Sequence, residues 1–519
     1  MRKRILGLAI LALWPNVAVA DDWHEANTAH FRVFAEGTES DAEELAIKLE
    51  RLDEAMRFML NVPPDTVANP SARLTVLRTG DADDIAGLAG SRSSGIAGFF
   101  IPRAGESVAF VPAKEGRREA IGSVYRGRSE IPAEFVLFHE YAHYFMYQHA
   151  AASYPYWYSE GFAEVYSTLE FLPNGFILGK PPRHRDDAMQ YLERKSVRLL
   201  LEPVERVRVI DVIAAYSMGW LLTHYLTFSP DREGQLSDYF SLLNQGFDSM
   251  AAAEKAFGDI KELDKDLDSY LRGRARGVTV TFDDYTKPSV DVRKLSEGEA
   301  ARMSLYMRLK AGVDPKAAAS LVDSARELAT QYPSSAPVQL TATESFFDAQ
   351  MYEEATAAAK RIIELEPDNL RARIFLARIL LTKALEDSSQ FEAARIPISE
   401  ANRLQPNQPE ALYLFYLSYR LSGQEVPEIA LIALERANEL APFDENIRKS
   451  LAHLLLLEGR DKAALAVLNP LINDVERGKD AEILREKYTA IEEGNPASAI
   501  AYLAPSLPWL PPEKSDAED

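Results

Sequence analysis

The chain has 519 residues, 47% hydrophobic and 26% charged, and a formal net charge of −21; it exceeds one compact core, and neither a disordered nor a membrane-embedded composition fits. The acidic excess argues against nucleic acid as a partner, since phosphate would be repelled. There is no cysteine, which excludes disulfides, a thiol-linked lipid anchor and thiolate metal ligands, so any metal must be held by His and carboxylate.

Arg2, Lys3 and Arg4 precede the apolar run Ile5 to Leu13, and Ala18-Val19-Ala20 places a small-x-small site before Asp21. This is the pattern of a secretory signal peptide over residues 1–20, too short to span a bilayer. It predicts export to the periplasm, or secretion beyond it, with cleavage after Ala20. No later segment is apolar for long enough to cross a membrane.

Residues 21–286 form a first domain, which from about 28 to 130 reads as mixed α/β. Strands are expected at His30–Phe34 and Ala72–Leu77, with a helix between them from Ser40, its expected N-cap, to Leu60. Gly95 to Val111 alternates apolar and polar residues around Gly105-Glu106, as a hairpin does. Glu134 to Glu170 has a helical pattern broken near Pro155, Ile210 to Thr227 is an apolar helix, and Val278 to Phe282 alternates as a strand. Residues 287–296, which include Lys287-Pro288-Ser289, read as a linker.

From 297 to 500 strand signals vanish. Tyr332-Pro333, Glu366-Pro367, Gln405-Pro406 and Ala441-Pro442 each end a helix, at intervals of 34, 39 and 36 residues, and Glu386 to Ser389 houses extra residues of the longest unit. With small residues recurring at Ala357-Ala358 and Ala463-Ala464, this region resembles tetratricopeptide repeats over roughly 200 residues. Residues 501–519 are proline-rich and then acidic, and are expected to be disordered.

The chemistry sits in His139-Glu140-Tyr141-Ala142-His143, inside Phe135 to Tyr147, a run with no helix breaker. One helical turn separates the two histidines, so both imidazoles can reach one metal ion. Glu140 lies toward the adjacent edge, where a carboxylate can take a proton from metal-activated water. A hydrolytic zinc site wants three protein ligands and an open position, and two residues compete for the third place. His149 follows His143 at the spacing of the metzincins, but Met146 stands where their turn needs glycine. Glu160 is the better candidate.

The string Trp157-Tyr158-Ser159-Glu160-Gly161-Phe162-Ala163-Glu164 resembles the second zinc helix of gluzincins, the group containing thermolysin and the aminopeptidase N family. The element order over residues 25–285 is similar to peptidase MA-like domains of bacterial proteins. The resemblance implies an α+β zincin-like metallopeptidase domain followed by an all-α tetratricopeptide-like solenoid. It implies Zn2+ on His139, His143 and Glu160, with Glu140 as general base. Glu164 would accept a hydrogen bond from a ligand histidine and fix its tautomer. An oxyanion donor is expected from a later helix; Tyr216 is the first choice, with His224 behind it. His149 and His224 otherwise read as structural.

The chain has no Gly-x-Met-Glu-Asn string of the aminopeptidases, and Gly95 to Phe99, at a comparable place, carries no acid. An endopeptidase is therefore expected, acting on a protein or peptide substrate, with a repeat groove that receives a protein partner. The rival is an inactive zincin-like domain within a repeat scaffold of the cell envelope. Retention of Glu140 tells against that rival, because a purely structural zinc site has no use for a base.

Overall fold

A computed structural model describes residues 22–64, 73–90, 98–114, 133–149, 154–182, 195–202, 209–273, 275–472 and 479–510. The expected signal peptide, and Gly95 to Ala97 of the expected hairpin, lie outside the described residues.

The chain opens with β1 (Trp23–Asn27) and β2 (Phe31–Glu36), an antiparallel pair. Helix α1 (Glu39–Leu60) starts slightly earlier than expected. Its N-cap is Thr38, which forms a reciprocal capping box with Asp41, and not Ser40. Then come β3 (Leu74–Thr79), α2 (Ala82–Leu88), and the hairpin of β4 (Phe99–Ile101) and β5 (Val108–Pro112). The two central helices are α3 (Ala133–His149) and α4 (Tyr156–Ser167); Glu170, expected to close the helical stretch, instead opens β6 (Glu170–Leu172). β7 (Gly175–Leu178), α5 (Arg198–Leu201), α6 (Val209–Phe228), α7 (Gln235–Asn244), α8 (Ser249–Phe257), α9 (Ile260–Gly273), β8 (Val278–Thr281) and β9 (Asp291–Lys294) complete this part.

The main sheet runs β4-β5-β3-β2-β1-β9, and β6-β7-β8 form a smaller one. Pairings β2–β3 and β3–β5 are parallel, and these strands are buried on both faces, as parallel strands usually are. Phe31, Val33, Leu74, Val76 and Ala109 share a core with residues of α1 and α3. The opposite-parity residues Phe34, Leu77, Val108 and Phe110 share another with Met303, Tyr306 and Met307. The repeat region thus supplies part of the sheet's own cover.

The expected linker is corrected accordingly. Within residues 287–296, Asp291–Lys294 pairs antiparallel with β1 as an edge strand, and Leu295 is buried. The signal was weak because the strand reads Asp-Val-Arg-Lys, with one apolar residue. Arg293 then pairs with both Glu25 and Glu299, tying strand, sheet and first array helix together.

The array comprises α10 (Glu297–Ala301), α11 (Met303–Ala311), α12 (Pro315–Gln331), α13 (Ala336–Asp348), α14 (Tyr352–Leu365), α15 (Leu370–Ala384), α16 (Gln390–Leu404), α17 (Pro409–Arg420), α18 (Glu428–Leu440), α19 (Glu445–Leu457), α20 (Asp461–Ile472), α21 (Lys479–Glu492) and α22 (Ala497–Tyr502). Tyr332, Glu366, Gln405 and Ala441 are the C-caps of α12, α14, α16 and α18. Each precedes a proline, which disfavours helical conformation in the residue before it. An N-terminal α/β region is therefore followed by a long helical stretch resembling a tetratricopeptide solenoid.

The turn between β4 and β5 inserts into this stretch. Glu106 pairs with Lys310 at 2.8 Å and accepts a hydrogen bond from the Tyr306 hydroxyl at 3.0 Å. The Ala104 amide donates to Asp444 at 3.2 Å. A Cβ on Gly105 would collide with the Glu410 carboxylate, so a larger residue there would have to push the Glu410 side chain aside.

The expected disordered tail is corrected up to Leu510. Helix α22 runs past residue 500, and Leu503 and Leu507 are each only 2% exposed. These apolar side chains outweigh the proline content that prompted the expectation. The remaining tail, 511–519, lies outside the described residues. Among the described residues, no helix is long and apolar enough to cross a membrane.

Candidate metal centre

Helix α3 buries Leu137, Phe138, Tyr141, Ala142 and Phe145 in the α/β core. Residues 137, 141 and 145 form one stripe, which leaves His139 and His143, also one turn apart, on a different face. Helix α4 is buried from Trp157 through Ser167. It crosses α6 through two glycines: a Cβ on Gly161 would strike the Gly219 carbonyl, and a Cβ on Gly219 would strike the Trp157 carbonyl. This close crossing sets the backbone of Glu160 against the helix that carries Tyr216. Gly219→Ala is expected to cost about 1–3 kcal/mol through overpacking. Thermal unfolding checks it, and an unchanged melting temperature would contradict so tight a crossing.

The side chains meet as follows. His139 Nε2 and His143 Nε2 are 3.1 Å apart, and Glu160 Oε2 lies 3.3 Å from the first and 3.7 Å from the second. Zinc–ligand bonds of about 2.0–2.1 Å in tetrahedral geometry put ligand atoms roughly 3.3 Å apart. The three separations thus match one face of a zinc tetrahedron. Glu160 Oε2 is also buried with no hydrogen-bond partner in the structure, a costly state for a carboxylate unless a cation meets it. Burial alone would raise its carboxyl, but the charge and close approach of His143 and His139 outweigh that and hold it well below the usual range. The donor set, a carboxylate and two imidazoles that would release their charging protons on binding a metal, suits zinc.

The other ring nitrogens face outward from the cluster. His143 Nδ1 is 3.2 Å from Ser159 Oγ, and His139 Nδ1 is 3.7 Å from Glu164 Oε1, beyond a hydrogen bond but within ion-pair range. The Glu164 carboxylate favours the Nδ1–H tautomer of His139, which turns its Nε2 lone pair toward the shared point, while the Ser159 hydroxyl can either donate to His143 Nδ1 or accept from it. Ser159 was not singled out from sequence; its place immediately before Glu160 on the same buried helix is the signal that could have found it. Glu140 is half-buried. Burial raises its carboxyl, His139 and His143 oppose this, and Glu160 adds to it. The Tyr216 ring lies parallel to that of His139, with centroids 5.5 Å apart and planes at 7°.

The structure does not bring every candidate in. His149 is an exposed residue at the end of α3, packed on Phe145, and is not part of the cluster. His224 is buried, with Nδ1 2.9 Å from the Tyr270 hydroxyl and its ring against Trp220 and Phe228. Burial lowers it to about 4, which makes it a neutral core histidine.

A second group, His30, Glu50 and Asp53, also clusters, but its bonds are internal. His30 Nδ1 is 2.7 Å from Glu50, while Asp53 accepts from Arg57 Nε and from the Tyr141 hydroxyl, each at 2.6 Å. A cation there would have to displace Arg57. The group braces the back of α3 through Tyr141, which stands between the two motif histidines in sequence.

No protein-family model matches this sequence, and no curated protein matches it. Among solved structures, a thermophilic TPR protein of Thermus thermophilus is 18% identical, covering 36% of this chain and 91% of that chain, with a TM-score of 0.29. The repeat description of the C-terminal region rests on its own helix pairs and their spacing.

Proposed function

We propose that this protein is an exported zinc-dependent metallopeptidase, an endopeptidase of the periplasm or beyond. The observation that carries the reading is the triangle of His139 Nε2, His143 Nε2 and Glu160 Oε2 at zinc-ligand separations, with a buried carboxylate oxygen lacking a hydrogen-bond partner. When bound there, zinc would supply Lewis acidity toward a water and a peptide carbonyl.

The chain's own residues have distinct tasks. His139, His143 and Glu160 hold the ion, and Ser159 and Glu164 orient the imidazoles. Glu140 takes the proton of the attacking water and passes it to the leaving amine. Tyr216, stacked against His139, is the hydroxyl donor for the developing oxyanion. The repeat array supports a role in protein interaction, consistent with a protein or peptide substrate.

The test is metal content of the purified mature protein. Wild type is expected to carry one zinc, and His149→Ala to keep it. Glu160→Ala should lose it, by more than the ~10–100-fold that removal of an outer hydrogen-bonding partner costs. Wild type without zinc after reconstitution would remove the enzyme reading and leave a repeat scaffold.

A further inference from the structure

The first helices of successive array pairs, α11, α13, α15 and α17, form a face along which the β4–β5 turn lies, at Lys310, Arg371 and Glu410. On the same helices, Phe347 of α13 and Phe375 of α15 stand with ring centroids 5.6 Å apart. Trp509 closes this pair into an aromatic pocket. Its ring centroid is 5.9 Å from that of Phe347, and the Arg378 guanidinium lies 5.4 Å from its centre. Its indole N–H donates to Thr382 Oγ1 at 2.9 Å.

The segment that delivers Trp509 is held by side chains. Residues 503–510 contain no strand, and no helix beyond the end of α22. Among the described residues, their backbone-to-backbone hydrogen bonds are local: Leu503 and Ala504 to α22, and Leu510 to Leu507. Leu503, Leu507 and Trp509 are the anchors. Pro508 and Trp509 are the central residues of the turn that the Leu510 amide closes on Leu507, and Pro505 and Pro508 reduce what the segment loses on ordering. Arg378, by contrast, belongs to the array: it pairs with Glu410, so the cationic wall of the pocket does not depend on the tail.

We propose that this pocket is a recognition site for a proline-flanked aromatic peptide that presents its ring from a turn, and that the chain's own Leu503–Leu510 is its resident occupant. A partner of that chemistry binds by displacing Trp509. The pocket offers the Phe347 ring, backed by Phe375, a guanidinium for the ring face and a hydroxyl acceptor for a ring N–H, the elements of an indole hot spot. Beyond Ala504, whose amide still bonds α22, the described part of the tail makes backbone-to-backbone bonds only within itself, and such an element opens locally before the fold does. The inference is independent of the metal reading, since none of its residues belongs to the His–Glu cluster.

The probe is a fluorescein-labelled peptide with the sequence of residues 503–512, together with its Trp509→Ala version. It is titrated by fluorescence anisotropy into the full mature chain and into a chain ending at Tyr502. The shortened protein should bind it saturably, and the alanine peptide about thirty-fold more weakly, the scale of an aromatic hot spot. The full chain should bind at least about ten-fold more weakly than the shortened one, because its own tail competes at millimolar effective concentration. Should the shortened chain not fold, the full-length Leu507→Ala/Trp509→Ala variant vacates the pocket with the backbone retained and takes its place. Failure of a folded shortened or double-variant protein to bind the peptide would overturn the proposal. Equal binding by the full and shortened chains would do so as well.

Discussion

Glu140→Gln is expected to lower the rate of peptide-bond hydrolysis by about 10²- to 10⁴-fold, the usual worth of a general base, while leaving zinc content and melting temperature unchanged. Glutamine keeps the size and polarity of the side chain but cannot accept a full proton at this position. Glu140 is not one of the three clustered ligand groups, so the metal should remain. The helix should remain too, because Gln and Glu have similar helix propensity. The measurement is the initial rate on a denatured protein substrate, alongside metal analysis of the same preparation. Equal rates for wild type and variant at equal zinc would mean that the background activity is not this site's. The inactive-scaffold reading would then replace the enzyme.

Lys310→Met should give the largest loss of stability. Lys310 is a buried cation, its side chain 5% exposed, held between Glu106 at 2.8 Å and Glu344 at 2.9 Å. Removing it leaves two carboxylates facing each other at the junction of hairpin and array. Breaking a buried pair costs about 3–5 kcal/mol; the Glu106 side chain is 20% exposed, which puts the expected loss near the lower end. For a cooperative unit of about 150–250 residues that is a melting-temperature drop on the order of 6–12 °C.

The pH dependence has a definite sign. Burial by itself raises the Glu106 carboxyl, but Lys310, Arg371 and Arg32 outweigh it and hold the group well below its ordinary 4.5. Its contribution is therefore complete above pH 4.5 and is lost as pH falls below that toward the lower folded value. In Lys310→Met this acid limb should flatten. A variant with wild-type stability at neutral pH would show that the hairpin is not clamped by this pair.

Much of the chain was legible because the governing interactions are local. The i, i+4 spacing of His139 and His143 is a property of any helix, and Phe135 to Tyr147 contains nothing to break one. The C-caps at Tyr332, Glu366, Gln405 and Ala441 follow from the proline after each, a covalent restriction needing no partner. Elements whose stability comes from elsewhere were misread. Asp291–Lys294 has little strand character of its own and is a strand because β1 offers an open edge. Leu503 to Leu510 looks like tail until the array supplies buried places for two leucines and a partly buried one for a tryptophan.

For the candidate site, the sequence by itself determined the chemical types: no thiolate, two histidines one turn apart, a carboxylate beside them, and a choice of His149 or Glu160 for the third position. Only the tertiary structure decided which of the two joins the cluster. Glu160 reaches the histidines because α4 packs against α3, and Tyr216 joins them because Gly161 and Gly219 let α4 and α6 touch at the backbone. His149 and His224 were left aside for the same physical reason: contacts across many residues depend on which faces the packed helices present, and no local pattern encodes that.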